Sequence, residues 1–113
     1  MHAQMIKNDD RMLPAALELV ITALCADFPR RETIIADGRA TYRIIMEYRF
    51  LNYRIFNAAS EIAGPRDARL FIKEIGSGSG YATTELWRLS EGIYKQRKRD
   101  IKLNIARRLC LYE

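Results

Sequence analysis

The sequence predicts an all-α fold, a compact domain of about five helices, and three observations carry that prediction. Apolar residues recur at i, i+3, i+4 and i+7 in one segment after another, the spacing that lines one face of a helix. No stretch alternates apolar and polar residues as a half-buried strand does, and no internal repeat divides the chain. At 113 residues, 49% hydrophobic and 29% charged, the chain has the size and balance of one domain with its own core.

Residues 1–12 read as a flexible lead-in, with Asn8-Asp9-Asp10 placed to cap a following helix. A single helical domain is expected over 13–113. Its first helix starts near Leu13, because Pro14 suits a first turn, where a missing N–H costs nothing. Leu17, Val20, Ile21, Leu24 and Cys25 form its apolar stripe, and Asp27-Phe28-Pro29 ends it, since the residue before a proline resists helical dihedrals. Arg30 to Ala36 is either a short second helix stopped by Asp37-Gly38 or a plain loop. A long third helix is expected from Ala40 to Ala63, where Ile44, Ile45, Tyr48, Leu51, Ile55 and Ile62 recur with no Gly or Pro between them. Gly64-Pro65 stops it. Tyr42, Tyr48, Tyr53 and Phe56 read as core and rim of that helix rather than as a base-stacking platform.

Asp67 to Ile75 is expected as a further helix carrying Leu70, Phe71, Lys73 and Ile75. Gly76-Ser77-Gly78-Ser79-Gly80 then reads as a flexible connection. As a phosphate loop it lacks a following Lys-Ser/Thr pair and a preceding strand. Tyr81 to Arg88 is expected as a short helix with Leu86 and Trp87 facing inward, and Leu89-Ser90 as the turn after it. The final helix runs from Glu91 towards Leu111, its first turn capped by the Ser90 hydroxyl.

Composition excludes several kinds of chemistry. His2 is the only histidine, so a zinc site, a Ser/His/Asp triad or a Cys/His pair has no material here, and no metal, cofactor or enzymatic activity is expected. Cys25 and Cys110 each sit in an apolar helical pattern without ligand spacing, and both read as buried small hydrophobes. Glu47, Glu61 and Glu74 read as solvent-facing charges. No apolar run approaches bilayer length and no basic-then-apolar leader opens the chain, which predicts a cytoplasmic protein with no membrane partner.

The functional accent lies at the end of the chain. Residues 88–113 hold eight Lys/Arg against three Asp/Glu, an excess of five that equals the net charge of the whole chain. At 100° per residue, Tyr94, Ile101, Ile105, Leu109 and Tyr112 form an inward stripe, while Lys95, Lys98, Arg99 and Lys102 form a cationic stripe beside it. A short helix, a tight turn and a capped basic helix are the parts of a helix-turn-helix, expected here over 81–111. In that arrangement Glu91, Lys95, Gln96 and Arg99 face base edges of double-stranded DNA, and Ser90, Lys98 and Lys102 face phosphates.

Leu89-Ser90-Glu91-Gly92-Ile93-Tyr94-Lys95-Gln96-Arg97, followed by Lys98-Arg99, resembles the turn and recognition helix of region 4 in bacterial sigma factors, where the pattern is hydrophobic-Ser-Glu-Gly-Thr-Val-Lys-x-Arg. Its continuation through Asp100-Ile101 and Ile105-Ala106-Arg107-Arg108-Leu109 is similar to the C-terminal ends of ArpU-like and RinA-like phage regulators. The likeness covers about 25 residues. It implies a small phage or prophage transcriptional activator that touches DNA and RNA polymerase, with Glu91, Lys95, Gln96 and Arg99 as base readers. One such motif covers a half-site, so a homodimer is expected, with the Ala40 to Ala63 helix as the contact. The alternative is a small phage-type protein-binding module, an inhibitor or adaptor, whose basic helix meets an acidic protein surface.

Overall fold

The computed structural model describes residues 13–112, so the lead-in over 1–12 and its Asn8-Asp9-Asp10 cap lie outside the described residues. Five α-helices follow one another among them: α1 (Ala15–Ala26), α2 (Phe28–Asp37), α3 (Tyr42–Ala63), α4 (Pro65–Ser77) and α5 (Glu91–Arg108). A single 3₁₀ turn, Tyr81–Thr83, lies between α4 and α5, and no strand occurs among the described residues. The all-α class and the number of helices agree with the sequence.

Proline and glycine punctuate this order. Asp27 closes α1 and opens α2, and Pro29 sits in the first turn of α2, so the proline that stops one helix starts the next. Pro65 does the same for α4 after Gly64 ends α3. Gly38 and Gly78 close α2 and α4 in the left-handed conformation, each at φ 73°. Thr41 opens α3, its hydroxyl accepting from the Ile44 N–H at 3.3 Å.

The long α3 is the spine. It packs against α2, α4 and α5, while α1 packs chiefly on α4 and also touches α5. Ile21 and Cys25 of α1, Ile55, Ala58 and Ala59 of α3, and Phe71, Ile72 and Ile75 of α4 form the core with Ile101 and Ile105 of α5. Their shared burial is the main stabilising term. A polar knot ties the other end of the bundle. The buried Arg31 donates to Asn52 Oδ1 at 2.6 Å, to the Leu24 carbonyl at 2.6 Å and to Asp27 Oδ2 at 3.0 Å, while Asn52 donates to the Phe28 carbonyl at 3.2 Å. Every group taken from water there regains a partner, as burial of a guanidinium demands.

Several expectations need correction. Gly76 and Ser77 belong to α4 and are not linker. A Cβ on Gly76 would lie 2.6 Å from the Ala26 nitrogen and 2.7 Å from its Cα, so this glycine lets the backbones of α1 and α4 touch. Tyr81 to Arg88 is not a helix: beyond the 3₁₀ turn the chain is turn and extended backbone as far as Ser90, so the helix-turn-helix expected over 81–111 lacks its first helix and only its capped basic helix forms. Leu86 is buried as expected, but Trp87 is 78% exposed. Cys110, expected in the core, is exposed and ends α5 at a φ of 59°.

Candidate nucleic-acid interface

The α5 surface is built outward from one carboxylate that the sequence placed in solvent. Glu74 is 3% exposed and accepts from Thr84 Oγ1 at 2.6 Å, from the Tyr94 hydroxyl at 2.6 Å and from the Glu85 N–H at 2.9 Å. Burial alone would raise its pKa, but these hydrogen bonds, with Lys98 beyond them, outweigh burial and hold the carboxyl below its ordinary range. Tyr94 is the complementary group: burial and the bond to Glu74 push its phenol up to about 12. Its ring stacks on Phe71 and tilts against Tyr81, each centroid 5.5 Å away. Tyr81 in turn donates to the Leu89 carbonyl at 2.6 Å, and Arg88 pairs with Asp67 of α4. The 78–90 connection is therefore fixed on α4 by buried polar contacts, and it sets the angle at which α5 begins.

From that start the first half of α5 stands clear of the core. Between Glu91 and Asp100 only Tyr94 is buried, whereas Ile101, Leu103, Ile105 and Ala106 bury the second half. Ser90 caps the helix, its hydroxyl accepting from the Ile93 N–H at 3.3 Å. Glu91, Lys95, Gln96 and Arg99 are all exposed and fall within an arc of about 140° on one side of the helix. Gly92 lies inside that arc, and a Cβ added to it would meet nothing within 4 Å.

The expected phosphate contacts divide. Ser90 is exposed, with its oxygen engaged in the cap. Lys98 turns inward: Nζ donates to the Ser79 carbonyl and lies 5.5 Å from the Tyr94 ring centroid, and burial, then Lys102, lower its pKa. It braces the 78–90 connection, which corrects its place in the cationic stripe. Lys102 is held by Glu18 of α1 at 3.3 Å. Lys95 pairs with Glu91 at 2.7 Å across exposed side chains, while Arg99 has no ion-pair or hydrogen-bond partner among the described residues.

Trp87 was missed by the inward assignment. Trp87 and Arg88 are the two middle residues of a turn closed by the Leu89 N–H on the Leu86 carbonyl at 2.9 Å, and the turn carries the Trp87 side chain outward. With Leu86 buried, Trp87 projects from the connection that leads into α5. No group of three or more His, Cys, Asp or Glu able to hold a metal occurs among the described residues, and no helix among them is long and apolar enough to cross a membrane. No protein-family model, curated protein or solved structure matches the chain.

Proposed function

We propose that the chain is a sequence-specific DNA-binding transcriptional regulator, of phage or prophage origin, that reads the major groove with the first half of α5. The observation that carries this reading is Gly92. A glycine in an ordinary helical turn with open space around it weakens the helix and serves no packing purpose, whereas a bare backbone at the centre of a polar face admits a close ligand. Around it Arg99 and Lys95 suit guanine, Gln96 adenine and Glu91 the cytosine amino group. The likeness to sigma region 4 adds RNA polymerase as a second contact, and a two-fold operator adds a homodimer.

A duplex selected from a random pool tests the reading. Gly92→Ala is expected to raise thermal stability by about 0.5 kcal/mol and yet weaken binding to the selected duplex, and Lys95→Ala/Arg99→Ala to abolish selectivity. A double variant that binds duplex as well as the parent at low salt defeats the proposal. The second reading, an acidic protein partner, draws support from Trp87 and Ile93, large apolar groups 78% and 45% exposed on the connection and the first turn of α5. Enrichment of no duplex, together with stoichiometric capture of one host protein lost in Trp87→Ala, would favour it.

A further inference from the structure

At the far end of α5 from Ser90, a groove of about 460 Å³ opens between α3 and the final turn of α5. Phe50, Tyr53 and Arg54 form its α3 wall, Arg107, Arg108 and Cys110 its α5 wall, and none of the residues lining it is acidic. Its aromatic groups are open to solvent, Phe50 at 59% and Tyr53 at 65% exposure, so Tyr53 departs from the core-and-rim role its helical spacing suggests.

The arginines are already in position. Arg54 donates to the Arg108 carbonyl at 3.1 Å, and its guanidinium lies 4.8 Å from the Phe50 ring centroid. Arg108 pairs with Glu61, whose other oxygen accepts from Asn104 at 2.9 Å. Arg107 has no partner among the described residues and keeps its full hydrogen-bonding capacity. Phe50 is thus covered on one side by a guanidinium, while the Tyr53 ring is left available beside an uncommitted cation.

We propose that this groove binds a nucleoside phosphate, free or as a unit of single-stranded nucleic acid, with the base stacked on Tyr53 and the phosphate on Arg107. An open aromatic face beside arginines is the combination that holds unpaired nucleotides, because every base has a stacking face and every nucleotide an anion. The volume falls within the range of small-ligand pockets. A second copy of the chain fits poorly, since two-fold pairing would bring the same arginines face to face. The site uses none of the residues assigned to the duplex-reading face of α5.

Cys110 supplies a reporter inside the groove. Cys25, the other cysteine, is buried and its thiol is pushed up to about 12, so a maleimide at neutral pH reads Cys110 alone. Alkylation of the full chain is followed by mass spectrometry with thymidine monophosphate, with a short oligothymidylate, or with inorganic phosphate, at matched ionic strength. Nucleotide slows the reaction and phosphate does not. Tyr53→Ser and Arg107→Glu each raise the nucleotide concentration needed by about tenfold, while Lys95→Ala/Arg99→Ala changes nothing. Equal protection by monomer and oligomer at equal nucleotide concentration makes the free nucleotide the ligand, and protection by the oligomer alone makes it the strand. Protection by phosphate alone, protection intact in both groove variants, or no slowing by any nucleotide overturns the assignment. Slowing that needs no nucleotide and rises with protein concentration gives the groove to a second copy and overturns it equally.

Discussion

Glu74 joins three parts of this molecule through one side chain. Its carboxylate receives Thr84, Tyr94 and the Glu85 backbone, and so connects α4, the 78–90 connection and α5. The sign of its pH dependence follows from its depressed pKa. Stability from the carboxylate is fully present above the ordinary carboxylate range and is lost as pH falls through the lower folded-state value. Tyr94 has the opposite limit: its raised phenol contributes below about 10 and loses that contribution as pH climbs towards about 12. Glu74→Gln keeps the shape and can keep its carbonyl on the Glu85 N–H, but it removes the charge and forces the Thr84 and Tyr94 hydroxyls to accept where they donated. It is expected to cost about 2–4 kcal/mol in urea unfolding at neutral pH, and to flatten the acid limb of the stability profile. A parent and variant with equal acid limbs would remove Glu74 from this role.

Between elements, the Gly76-Ser77-Gly78-Ser79-Gly80 segment contains three glycines in three situations, and alanine separates them. Gly76→Ala drives a methyl into the α1 backbone at Ala26 and should cost about 3 kcal/mol or more. Gly78→Ala meets no atom but must hold φ at 73°, for about 1 kcal/mol. Gly80→Ala, in open space at φ −105°, should be nearly neutral. Thermal melts of the three read out the order, and equal effects would restore the linker reading. The helices were legible because each carries an apolar stripe between Gly or Pro signals, and α5 with its Ser90 cap was legible on the same grounds. The 81–88 segment was not, because its shape is dictated by Glu74, a residue outside it, and local spacing holds no trace of that bond. The inward turn of Lys98 and the capture of Lys102 by Glu18, distant in sequence, were hidden for the same reason.

Over the whole molecule, the charge excess at the C-terminal end is less available than its count suggests. Of the eight cations in 88–113, Arg88, Lys95, Lys102 and Arg108 pair with Asp67, Glu91, Glu18 and Glu61, and Lys98 is spent on the Ser79 carbonyl. Arg97, Arg99 and Arg107 have no partner among the described residues. Arg107 lies eight residues beyond Arg99, about 12 Å further along the helix and beside the groove. A duplex on the first half of α5 therefore meets Arg99 and Lys95, the latter released from an exposed pair that is worth little, while Arg97 lies about 160° round the helix from both. Counted as two neutralised charges, they give a slope of log affinity on log salt of about −1.8, or about a twelvefold loss between 50 and 200 mM. The full stripe with Lys98 and Lys102 would neutralise about four, and lose about 150-fold over the same range. Titration of a fluorescent duplex across those concentrations distinguishes the two values. Arg99→Gln should cost about 1–3 kcal/mol on the selected duplex and relax selection at one base, and Arg107→Gln should change neither that affinity nor the slope. A slope near the higher value would mean that Lys98 gives up the Ser79 carbonyl and Lys102 gives up Glu18 when DNA arrives, and that the 78–90 connection loosens as α5 enters the groove.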